Sequence, residues 1–166
     1  MVAELSGTIL VRKPGSSKYE ALDAAEGIPL GSTVDARKGV VVLTSVPKAG
    51  GKPEVAKFFD GIFKVTQTGD TTTVTLNEPL APCGKKARAA AKKPKTRKLW
   101  GDGKGKFRTR GQYSAATVRG TKWLVQDGCR YTRTRVTQGT VTVRDEVLKK
   151  SIVLRKGKTY TAKPRR

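Results

Sequence analysis

Residues 107–145 read FRTRGQYSAATVRGTKWLVQDGCRYTRTRVTQGTVTVRD, and no part of this run has the 3.6-residue period of a helix. β-Branched and aromatic residues fill the intervals between Gly111, Gly120, Gly128 and Gly139, which is the pattern of three or four consecutive strands. The spacing predicts strands at 113–118, 121–125, 131–136 and 140–144. Corners are expected at Arg119-Gly120-Thr121, Gln126-Asp127-Gly128 and Thr137-Gln138-Gly139. Alternation puts Trp123 and Val125 on one face, and Tyr131, Arg133 and Arg135 opposite Thr132, Thr134 and Val136. Trp123 is read as core, because large rings are mostly buried. Arg119, at a corner, is read as a structural residue that caps carbonyls or pairs with an acid, with Gly120 beside it.

The same texture runs through the rest of the chain. Short strands are expected at 7–13, 18–22, 32–36 and 40–46, the last two forming a hairpin that reverses at Lys38-Gly39. A break at Gly61 precedes a strand that carries Phe63 and Val65 on one face, and residues 71–76 place Val74 and Leu76 together. Two further strands, 151–154 and 158–162, follow the polar residues 145–150. A length of 166 residues suits one ordinary domain or two small ones, and is enough to bury a core without a metal. The expected fold is therefore all-β, a single domain over 1–166 of about a dozen short strands, sandwich or β-helix-like.

Charge divides the chain in two. Residues 1–83 hold nine Lys+Arg and nine Asp+Glu, whereas residues 84–166 hold 26 and four, so the whole net charge of +22 follows Cys83. A field this one-sided attracts polyanions: acidic wall polymers, nucleic acid or anionic headgroups. Its densest part is CGKKARAAAKKPKTRKL, with Lys85, Lys86, Arg88, Lys92, Lys93, Lys95, Arg97 and Lys98 and no acid. Such a tract repels itself and has little apolar surface to bury, so residues 84–99 are read as a basic mobile loop inserted in the domain. These eight residues, with Arg133 and Arg135 and with Tyr131 as a neighbour, are the candidate anion contacts.

No catalytic residue emerges. The chain has no histidine, which excludes a Ser-His-Asp triad, a Cys-His pair and any imidazole metal site. Two cysteines 46 positions apart do not make a zinc site, and no metal or cofactor is expected. The glycine-rich run Trp100-Gly101-Asp102-Gly103-Lys104-Gly105 lacks the order of a phosphate loop and is read as a β-turn region. Gly105-Lys106-Phe107-Arg108 echoes Gly61-Ile62-Phe63-Lys64, a sign of internal duplication 44 residues apart.

Compartment stays open at the level of the residues. The start, MVAELSGTILVRKPG, lacks the pattern of a secretory leader, and no run approaches the ~18 apolar residues of a membrane span. Cys83 and Cys129 leave two alternatives. One is a bridge closing a loop of about 47 residues, worth ~4 kcal/mol on the chain-entropy estimate. The other is a pair of unconnected thiols, the usual cytosolic state.

Residues 115–123, AATVRGTKW, then 134–145 with the run Gly139-Thr140-Val141-Thr142-Val143, then 151–160 with Gly157, together resemble the core of the FecR-type domain. Residues 30–43, LGSTVDARKGVVVL, resemble the leading part of that family as found in secreted or surface proteins of high-GC Gram-positive bacteria. The likeness spans 7–163, with 47–53 and 84–99 as insertions. It implies an all-β domain outside the cytoplasm, with a structural or binding role and no catalytic residues. The family's anti-sigma helical region and membrane helix are not read in these residues, so the implied role is that of a module and not of a transport sensor. An anionic cell-wall polymer or a protein is the implied partner, and the alternative is a nucleic-acid-binding protein that uses the basic half.

Overall fold

The computed structural model describes residues 2–46, 50–83 and 93–165, leaving out the side chains of 2–5 and 119–121. The described residues form twelve strands and no helix. They are β1 (Val2–Arg12), β2 (Glu20–Ala21), β3 (Thr33–Ser45), β4 (Glu54–Phe59), β5 (Ile62–Thr68) and β6 (Thr71–Leu76), followed by β7 (Arg97–Gly103), β8 (Phe107–Arg110), β9 (Ser114–Gly128), β10 (Tyr131–Asp145), β11 (Lys150–Arg155) and β12 (Thr159–Ala162).

Four of these are long, and the sequence reading divided three of them. Residues 32–36 and 40–46 are one strand, β3, which pairs with β1 on both sides of Lys38-Gly39. Gly39 faces Gly7 across that ladder, and a Cβ there would lie 2.5 Å from the Ser6 carbonyl oxygen. The glycine permits close approach of two backbones and does not reverse the chain. Likewise β9 runs through 119–121 and β10 through 137–139. The expected corners are register shifts between the two strands, at Val136/Gln138 and Gly139/Val141, as at a β-bulge. The chain reverses between them at Cys129-Arg130.

Short strands come in pairs along the long ones. β4 and β5 pair with successive parts of β3, β7 and β8 with β9, and β12 and β11 with β10. Antiparallel β4–β7 and β5–β6 and parallel β6–β8 complete a circuit, β3-β4-β7-β9-β8-β6-β5 and back to β3. The fold is thus one sheet closed on itself, which leaves no open edge inside the circuit. Phe63 on β5 and Phe107 on β8, the two echoed phenylalanines, are both buried.

Inward side chains fill one core. Phe58 lies 5.7 Å from Phe63, 5.9 Å from Phe107 and 6.2 Å, edge to face, from Trp123. Val34, Val41, Val65, Val74, Leu99, Val125, Val136, Val141 and Val143 surround them, all fully buried. Such rings and branched side chains carry most of the apolar stabilisation of a domain this size, roughly 1.5–3 kcal/mol for each fully buried one. The predicted faces hold for Trp123 with Val125, Phe63 with Val65, and Val74 with Leu76. In β10, Thr132, Thr134 and Val136 point in while Arg133 and Arg135 point out.

Candidate polyanion-binding face

The run read as a glycine turn, 100–105, is largely strand β7, and so is the end of the expected basic loop, 97–99. In β7 the residues alternate: Leu99 and Gly101 face the core, while Lys98, Trp100 and Asp102 face outward. This parity builds the site. Trp100 is the register partner of Phe59 on β4 and of Leu124 on β9, and Leu124 is that of Arg135 on β10. One row across four strands is therefore Phe59, Trp100, Leu124 and Arg135.

The rings of Phe59 and Trp100 stack at 6.2 Å with 8° between planes. Lys122 Nζ lies 5.8 Å from the Phe59 centroid and 5.6 Å from that of Trp100, and the Arg135 guanidinium lies 5.8 Å from Trp100. Arg133 stands 4.8 Å over the Tyr131 ring. Each contact is a cation–π attraction of about 0.5–1 kcal/mol at an exposed site.

Two flanking rows add charge. Lys57, Asp102 and Lys122 are register partners, as are Lys98, Gln126 and Arg133. With neighbouring strands ~4.8 Å apart, the backbones carrying the outer cations of each row stand about 10 Å from each other. Five cations, Lys57, Lys98, Lys122, Arg133 and Arg135, thus share a face with one carboxylate, Asp102; a second, Asp60, lies 4.0 Å from Lys98. Like charges this close raise the potential over the face and favour any polyanion that neutralises them.

The expected contacts fall into three groups. Lys98, Arg133 and Arg135 come together here, and Lys93 and Lys95 are exposed just before β7. Lys85, Lys86, Arg88 and Lys92 lie outside the described residues. Arg97 is the correction. Its Nε donates to buried Asp127 at 2.9 Å and its Nη1 to the Glu78 carbonyl at 2.9 Å, so its guanidinium is engaged within the fold. The side chain of Arg119 and the surroundings of Gly120 lie outside the described residues.

Cys83 and Cys129 form a disulfide, with Cα atoms 5.3 Å apart, and no described cysteine is free. The bridge ties the residue before the basic tract to the β9–β10 reversal, two residues from Tyr131. Just before the tract, the Ala81 amide donates to the carbonyl of Pro94 within it at 2.8 Å. This bond closes residues 81–94 into a loop ahead of β7.

Local pattern alone does not single out Phe59, Trp100, Lys57 and Lys122. The signal was present in the alternation of Lys98, Trp100 and Asp102, but glycines at 101, 103 and 105 masked it as a turn. Among the described residues no group of His, Cys, Asp and Glu is placed to hold a metal ion, and no helix is long and apolar enough to cross a membrane. Compared with known proteins, the chain matches no family model, no curated protein and no solved structure.

Proposed function

We propose that the chain is a non-enzymatic, FecR-like β module of the cell exterior that binds anionic polymers, of the kind found in cell walls, through the outer face of β4, β7, β9 and β10. The observation that carries this reading is the gathering of Lys57, Lys98, Lys122, Arg133 and Arg135 around the stacked Phe59–Trp100 pair, with Asp102 as their one carboxylate row partner. The exterior location is supported by the Cys83–Cys129 disulfide, since such bridges persist in oxidising compartments. The non-enzymatic reading follows the FecR-type likeness, which carries over no catalytic residues; the lack of histidine removes imidazole chemistry alone.

A nucleic acid would meet the same field. Binding of single strands, however, draws on bases stacked against open ring faces, and the Trp100 ring already has Lys122 and Arg135 over it. This favours a ligand held by charge and not by stacking. The test is titration of a purified wall polymer rich in phosphate or carboxylate, alongside single-stranded and duplex DNA, at low salt and at ~0.15 M salt. The polymer is expected to bind, and the triple variant Lys122→Gln, Arg133→Gln, Arg135→Gln to bind it more weakly with a shallower salt dependence. Equal polymer binding by the variant would refute the face. DNA binding stronger than polymer binding at ~0.15 M salt would transfer the site to nucleic acid.

A further inference from the structure

A second group of unbalanced cations lies where the sequence shows no charge excess. Two adjoining surface grooves, of about 420 and 360 Å³, share Arg12 and Asn77. The first is also lined by Lys13, Gly15, Thr33 and Lys64, the second by Tyr19, Arg37, Glu78 and Lys93. Arg12 on β1 is the register partner of Thr33 on β3, and Thr33 that of Lys64 on β5. Two cations therefore flank one buried threonine, whose Oγ1 accepts a hydrogen bond from Asn77 Nδ2 at 3.2 Å.

Of the neighbouring cations, Lys13 and Arg37 are already matched. Lys13 pairs with Glu26 at 3.4 Å, and Arg37 pairs with Asp35 at 2.8 Å and approaches Glu78 at 4.0 Å. Arg12 instead stands over the Tyr19 ring at 5.2 Å, and among the described residues neither Arg12 nor Lys64 has a carboxylate within ion-pair distance. A guanidinium stacked on a ring keeps its edge of N–H donors free, and that fork fits a carboxylate or phosphate. Concave sites of several hundred cubic ångströms with a few convergent polar groups are the usual form of a small-ligand pocket.

We infer that the groove between Arg12 and Lys64 binds a compact oxyanion, carboxylate or phosphate, carried on a ligand the size of one or two sugar rings. The oxyanion lies between the Arg12 fork and the Lys64 ammonium, and the body of the ligand extends past Asn77 toward Tyr19 and Pro79. This site is separate from the basic face of β4, β7, β9 and β10 and does not depend on what that face binds.

The experiment is a titration of amide NMR signals with glucuronate, with glucose 1-phosphate and with neutral glucose, in low salt. Saturable shifts at residues 12, 33, 64 and 77 are expected with at least one anionic probe and not with glucose. Glucuronate alone would identify a carboxylate, glucose 1-phosphate alone a phosphate, and both a site read by charge and size. Lys64→Gln, an exposed change, is expected to weaken binding about tenfold, as for loss of a charged hydrogen bond, and Lys156→Gln, exposed and in neither site, to leave it unchanged. Shifts with neither anion, equal binding of glucose, or equal affinity in Lys64→Gln and Arg12→Gln would each overturn the assignment.

Discussion

Trp123 on β9 lays its indole across Gly101, its register partner on β7, so that a Cβ at 101 would overlap the ring. The Trp123 Nε1 donates to Thr109 Oγ1 of β8 at 3.0 Å, so this single ring joins three strands of the circuit. Gly101→Ala is expected to cost about 1–3 kcal/mol through overpacking. Denaturant unfolding followed by tryptophan fluorescence measures it, and an unchanged midpoint would show that the indole has room to move.

Asp127 is wholly buried and accepts bonds from Arg97 Nε at 2.9 Å, Thr132 Oγ1 at 2.6 Å and the Gln112 amide at 3.0 Å. Asp127→Asn leaves the Arg97 guanidinium without its counter-charge and is expected to destabilise the fold by roughly 3–5 kcal/mol. Lys98→Gln, one residue along and exposed, is expected to change stability by less than ~0.5 kcal/mol. Comparable losses in the two variants would contradict the structural role given to Arg97.

How far the residues themselves disclosed this fold depends on what each glycine does. Period-2 alternation identified the inward faces correctly, because a half-buried strand needs alternate apolar residues: Phe63 with Val65, Trp123 with Val125. By local pattern Gly39, Gly120 and Gly139 mark turns, yet each lies inside a long strand. At Gly39 and Gly101 the missing Cβ makes room for another backbone or for an indole, and that demand comes from residues distant in sequence. The site was legible to the extent that Arg133 and Arg135 share a strand face. Lys122 joins them through the β9–β10 hairpin, but Trp100 does so only through β7–β9 pairing, a long-range fact that local pattern does not carry.

The Tyr160 hydroxyl donates to Asp145 Oδ2 at 2.6 Å, and the Val147 and Leu148 amides donate to Oδ1, each at 2.9 Å. Burial pushes the Asp145 carboxyl up, but the Leu148 amide, the Tyr160 hydroxyl and the Val147 amide outweigh it and hold it below the usual range. Burial, then the bond to Asp145, pushes Tyr160 up to about 12. A depressed carboxyl contributes stability above its unfolded pKa of about 3.9 and loses it as pH falls through the folded value. A raised phenol contributes fully below about pH 10 and loses its share as pH rises toward about 12. The stability gap between wild type and Tyr160→Phe should therefore be constant from pH 7 to about 10 and shrink above it. A gap that stays flat through pH 12 would mean that the hydroxyl is not bonded to Asp145.

The Cys83–Cys129 bridge closes a loop of 46 residues' separation that contains β7, β8 and the whole of β9. Replacing both cysteines by serine is expected to lower unfolding free energy by ~4 kcal/mol, chiefly by loosening the unfolded chain. Intact mass with and without reductant establishes the bridge, and denaturant midpoints of the two forms give its worth.

The closed circuit means that neither half of this chain is a unit. β4 finds its second neighbour in β7 and β6 finds its own in β8, so every strand pair that crosses the charge boundary at Cys83 belongs to the wall of the core. A chain severed directly after Cys83 would yield a neutral piece and a strongly basic one, still joined through Cys129 and two shared ladders. The pieces would behave as complementing fragments, each a template for the other. The basic strands are therefore held in place partly by a neutral partner that dilutes their mutual repulsion, and the chain tolerates its charge by folding it around residues that carry none in net.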